Sequence, residues 1–156
     1  MHLAVILRLG ATASLMALSG CASDERTLGM PVAVSNVPLK MTTDQLVGRW
    51  GLGAYHRETD RARTIPQAKA QCGNAYVITK GPNGGVMMHV ADSPDLFELQ
   101  LRAGADGRTY LGPDGKPAGS EWDREIVSYD QNVITANWVD KDVIDRYGTM
   151  VFVRCK

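Results

Sequence analysis

The sequence predicts an all-β fold, an eight-stranded antiparallel up-and-down barrel with one short helix in its first long loop. Three observations carry this. Between residues 46 and 155, short segments alternate apolar and polar side chains, the period of a strand with one buried face. Turn-forming pairs such as Asn83-Gly84, Asp106-Gly107 and Asp114-Gly115 separate them, and such pairs tolerate the positive φ that tight hairpins need. One connection, 56–73, is long. A meander of eight strands closes readily into a barrel and so loses its exposed edges; a β-sandwich is the other architecture compatible with the pattern.

The predicted strands run in order along the chain. The first covers 47–55 and the second 75–79, followed by the turn 81–85. The third, 86–90, places Met87 and Met88 on opposite faces, and one of them faces inward, where methionine fits irregular apolar volume. The fourth, 96–101, puts Phe97, Leu99 and Leu101 on one face. A short fifth strand, 108–111, lies between two Asp-Gly turns. Strands 121–129 and 133–139 flank the turn 130–132, and 147–155 is the last. The expected interior is Trp50, Leu52, Tyr76, Ile78, Phe97, Leu99, Leu101, Ile134 and Trp138. Of these, Tyr76, Phe97 and Trp138, with Met88, are the candidate lining of a ligand cavity. In the long connection, Thr64 is placed to cap a helix with Pro66 in its first turn and Gly73 at its end.

Upstream of the barrel the chain has a different character. Residues 1–20 have a secretory leader's composition, apolar around one cation, Arg8, and ending in Ser19-Gly20. The apolar stretch is too short and interrupted to span a bilayer, which needs about 20 apolar residues. The run Leu18-Ser19-Gly20-Cys21 resembles the lipobox of bacterial lipoproteins. That resemblance implies cleavage before Cys21, lipidation of its sulfur and acylation of the new N-terminus. Ala22 and Ser23 follow, with no aspartate, a pattern that resembles sorting to the outer membrane in Gram-negative bacteria. The expected organisation is a leader at 1–20, a lipidated N-terminus and tether at 21–43, and a barrel at 44–156, lipid-anchored to the outer membrane and facing the periplasm.

The chain has three cysteines. With Cys21 lipidated, Cys72 and Cys155 remain and can pair in an oxidising compartment, two separate buried thiols being the alternative. Such a bridge is worth roughly 4 kcal/mol in the chain-entropy model.

Gly48-Arg49-Trp50 resembles the G-x-W motif of lipocalins. In that family a short helical turn precedes the motif, which 43–46 is placed to supply, and a large first loop folds over the barrel mouth, the position of 56–73. An arginine near the end of the domain packs across the tryptophan, and Arg154 stands where that residue is expected. The family's later loop motifs and long C-terminal helix are not matched. Small bacterial β-barrel inhibitors of metalloproteases are also similar, although their short disulfide differs from a Cys72–Cys155 pair.

Motifs for catalysis are missing from the sequence. It has no G-x-S-x-G elbow, H-E-x-x-H pair or Walker loop. His56 and His89 stand on different segments and are read as ordinary histidines. Asp140, Asp142 and Asp145 lack the glycine and terminal glutamate of a calcium loop and read as a solvated turn. Glu121, Asp123 and Glu125 read as solvated charges on one strand face. With 17 basic and 17 acidic residues, the chain has no excess positive charge to capture nucleic acid. The expected function is non-catalytic and cofactor-free: binding of a small apolar ligand or of a cell-envelope protein. The alternative is inhibition of a protease or lysozyme.

Overall fold

The computed structural model describes residues 39–156, and the expectations for Cys21, the leader and most of the tether lie outside them. Eight strands form a closed antiparallel barrel in simple sequential order: β1 (Gly48–Tyr55), β2 (Tyr76–Lys80), β3 (Val86–His89), β4 (Leu96–Ala103), β5 (Thr109–Pro113), β6 (Arg124–Tyr129), β7 (Val133–Trp138) and β8 (Thr149–Arg154). Closure comes from β1 pairing with β8, with Trp50 opposite Arg154 and Leu52 opposite Phe152. Among the described residues three α-helices accompany it: α1 (Thr43–Leu46), α2 (Arg61–Ala70) and α3 (Lys141–Tyr147).

The predicted alternation becomes the barrel interior. Trp50, Ile78, Val86, Met88, Leu99, Leu111, Ile126, Ile134 and Phe152 form one core, each almost fully buried. One register shift interrupts it: a bulge between Ile126 and Ser128 offsets β6 by one residue. It brings Tyr129 opposite Ile134 and so keeps both ends of the strand turned inward. Met41 and Leu46 join this core and plug the end of the barrel where β1 starts.

The first long loop departs from the expectation. Its helix begins at Arg61 rather than Thr64, because the Thr64 hydroxyl donates to the Asp60 carbonyl one turn back instead of capping. Pro66 therefore lies inside the helix. A 3₁₀ turn over Gln71–Asn74 continues the helix past Gly73. Nor does α2 cover the barrel mouth, as the lipocalin resemblance implied. It packs on the outer wall of β1 and β8, where Ala68 and Ile65 meet Tyr55, Val151 and Val153 in a second, smaller core. Glycine makes this contact possible: a Cβ on Gly51 would stand 1.9 Å from the Ala68 carbonyl oxygen, and one on Gly53 would stand 2.9 Å from the Thr64 side chain. The disulfide between Cys72 and Cys155, with Cα atoms 5.6 Å apart, ties the end of this excursion to the end of β8.

Two acidic groups also differ from their sequence reading. Asp140 caps α3, its carboxylate accepting from the Asp142 and Val143 amides, so that cluster belongs to a helix rather than a solvated turn. Gly148 ends the helix at φ 74°. Asp123 lies before β6 and is fully buried. Its Oδ1 pairs with Arg102 at 2.5 Å, and its Oδ2 accepts from the Gly119 and Ser120 amides, which clamps loop 114–123 to the wall. Gly112 is required beneath it, because a Cβ there would meet Asp123 Oδ1 at 1.7 Å.

Candidate ligand cavity at the open end of the barrel

The two ends of the barrel are built differently. At the plugged end, Arg154 lies 4.1 Å over the Trp50 ring, the contact the sequence resemblance implied. The indole Nε1 donates to the Leu46 carbonyl at 2.8 Å. The Arg154 guanidinium donates to the carbonyls of Val47, Gln45 and Gln131, so it spans α1, the start of β1 and the β6–β7 turn. Gly48 leaves room for it, since a Cβ there would stand 2.8 Å from Nη1. Gly48, Trp50 and Arg154 are thus a structural lock, remote from any opening.

The other end is open. A cavity of ≈ 410 Å³ enters the barrel between the end of β1, the start of β2, the ends of β3 and β7, and the starts of β6 and β8. Its walls include Leu52, Tyr76, Met88, Trp138, Met150 and Phe152. The volume falls within the range of small-molecule sites. Below it the barrel is packed: a residual void of ≈ 10 Å³ is all that separates Met88, Arg124 and Phe152 from Leu111, Ile126 and Ile134. Because Met88, Arg124 and Phe152 border both spaces, they form the cavity floor.

Arg124 is the unusual member of that floor. It is 4 % exposed, and its strand partners Leu111 and Trp138 face the interior with it. The guanidinium lies 4.1 Å over the Trp138 ring, and Nη2 donates to the His89 carbonyl. Its Nε has no partner, and neither does the buried indole N–H of Trp138. No carboxylate among the described residues pairs with this arginine; the Tyr76 phenol is the one acidic group that acts on it. Burial, which penalises the charged form, lowers its pKa to about 10, so the side chain remains a cation at neutral pH.

The mouth is held by a polar clasp. Arg146 grips Asp92 through both terminal guanidinium nitrogens, Nη1 and Nη2, at 3.2 and 2.6 Å, and the Tyr147 hydroxyl donates to the same carboxylate at 2.5 Å. This ties α3 to the β3–β4 loop. The donors hold the Asp92 carboxyl below the usual range, with the Tyr147 hydroxyl the largest influence. Inside the mouth, the Tyr76 hydroxyl accepts from the His89 amide at 2.9 Å and lies 3.1 Å from His89 Nδ1, which orients both rings along the wall.

Three of the four predicted lining residues meet here: Tyr76, Met88 and Trp138. Phe97 does not. It shares its strand face with buried Leu99, but it lies one residue from the end of β4 and is 40 % exposed. It lines an adjoining groove with Val90, Trp122 and Val143. His56 stands outside the cavity, and His89 lines it. Among the described residues, no cluster of three His, Cys, Asp or Glu side chains is close enough to hold a metal ion. Sequence reading missed Arg124. The available signal was a cation two residues before Ile126 in a strand whose alternate residues point inward.

Comparison of the chain with protein-family models, with curated proteins and with solved structures finds no match.

Proposed function

We propose that this protein is a lipid-anchored binding protein of the outer membrane whose barrel takes up a small, predominantly apolar molecule. The anchor rests on the Leu18-Ser19-Gly20-Cys21 run. The ligand reading rests on one observation: the barrel is packed at the end plugged by Leu46 and hollow at the other, with ≈ 410 Å³ of mainly apolar space. The closed wall holds that space in shape before any ligand arrives, so binding costs little ordering.

An apolar dye with environment-sensitive emission tests this. Wild-type protein is expected to bind it stoichiometrically. Met150→Trp, which fills the cavity from β8, should remove binding while leaving the fold intact by circular dichroism. Dye binding that survives this change would place the site elsewhere. A second reading, docking of an envelope protein at the rim, draws support from Trp122 and Phe97, which are 49 % and 40 % exposed and line one groove beside the mouth. Trp122→Ser with Phe97→Ser separates the two readings: it should abolish partner capture and leave dye binding unchanged.

A further inference from the structure

We propose that the cavity selects an anionic amphiphile, with a carboxylate head seated against the Arg124 guanidinium on the floor and an apolar body extending toward the mouth. This rests on the ligand-binding reading above and names the class of ligand.

The reasoning begins with cost. A buried cation is expensive unless it is paired, and buried arginines in folded proteins ordinarily have a carboxylate partner. The same barrel shows that arrangement on its outer wall, where Arg102 meets buried Asp123. Arg124 has only a backbone carbonyl and an aromatic face. Its Nε lacks an acceptor, and so does the indole N–H of its neighbour Trp138. The floor therefore carries a positive charge with no carboxylate beside it, and what would balance that charge is an anion supplied from the cavity that Arg124 lines. The one carboxylate that lines the cavity, Asp92, is held at the mouth by Arg146 and Tyr147.

The rest of the cavity specifies the remainder of the ligand. Leu52, Met150 and Phe152 offer no hydrogen bonds, and the Tyr76 hydroxyl is already engaged with His89. A molecule that is polar throughout would leave its groups unsatisfied against these walls. A compact inorganic anion would leave the walls bare. A head-down amphiphile satisfies both halves. A planar carboxylate also matches the fork of guanidinium donors, which a point cation would not offer.

Isothermal titration of the delipidated full chain with decanoate and with decanol tests this. Decanoate is expected to bind about tenfold or more tightly than decanol, the scale of a charge-assisted hydrogen bond. Arg124→Met should weaken decanoate by at least about tenfold and leave decanol within about threefold. Arg124→Lys, which keeps the charge but loses the fork, should retain part of the preference and guards against a folding defect in the methionine variant. Equal binding of both probes, unchanged by either substitution, would overturn the assignment of Arg124 while leaving the apolar cavity in place. Failure of both probes to bind wild-type protein would overturn the ligand-binding reading beneath it.

Discussion

Truncation of Trp50 tests the lock at the plugged end. The side chain is 0 % exposed at the centre of the main core, so Trp50→Ala removes a large aromatic from a site with little room to collapse. Such changes cost about 3–5 kcal/mol. The Leu46 carbonyl also loses the indole donor, which adds about 1 kcal/mol. The expected loss is thus about 4–6 kcal/mol, a large part of an ordinary domain's stability. Arg154→Met should cost about 2 kcal/mol, because the carbonyls of Val47, Gln45 and Gln131 lose a cationic donor. The double variant should fall short of the sum by about 1 kcal/mol, the share held in the guanidinium–indole contact. Urea unfolding followed by far-ultraviolet circular dichroism measures all three without depending on tryptophan emission. A Trp50→Ala loss below about 2 kcal/mol, or strict additivity, would refute the lock.

The remaining predictions concern the outer wall. Cys72→Ser with Cys155→Ser opens a closure spanning 83 residues of sequence and should cost about 4.5 kcal/mol, or roughly 15 °C in Tm; a shift below about 5 °C would remove the bridge from the stability argument. Gly51→Val drives a side chain into the Ala68 carbonyl and should cost about 3 kcal/mol or more, with faster amide exchange in α2; unchanged exchange would mean the helix is not seated on β1. Asp123→Ala strands the Arg102 guanidinium and frees loop 114–123, at about 3–5 kcal/mol by thermal unfolding; a loss under about 1 kcal/mol would show that the pair is dispensable.

The barrel was readable because its strands carry one buried face each. Trp50, Ile78, Leu99 and Ile134 announce that face by alternation, and the Asn-Gly and Asp-Gly pairs mark where it turns back. The cysteine pair was legible only with Cys21 set aside by the lipobox resemblance. Features without a period were not readable. Helix α3 has seven residues, too few to show an apolar stripe, although Asp140 and Gly148 are its capping signals. The seat of α2 depends on two missing Cβ atoms, at Gly51 and Gly53, and a strand glycine gives no direction from which a neighbour approaches. Asp123 reads wrongly as a surface charge, and Arg124 beside it goes unread. The run 121–125 alternates acidic side chains, which suggested a solvated face, yet β6 begins only at Arg124. One of the acids is buried under a loop, and the arginine points inward. Phe97 shows the converse limit: alternation assigns a face but does not tell how close to the rim a residue lies.

Native mass spectrometry of the protein taken from its own membrane shows whether the barrel carries the proposed ligand. The predicted spectrum shows a retained small molecule at one per chain. On dissociation that molecule is released as an anion, and it is missing from Arg124→Met protein prepared in parallel. A spectrum containing only the bare lipidated chain, from wild-type protein that still binds neither decanoate nor an apolar dye after delipidation, would contradict the ligand-binding reading.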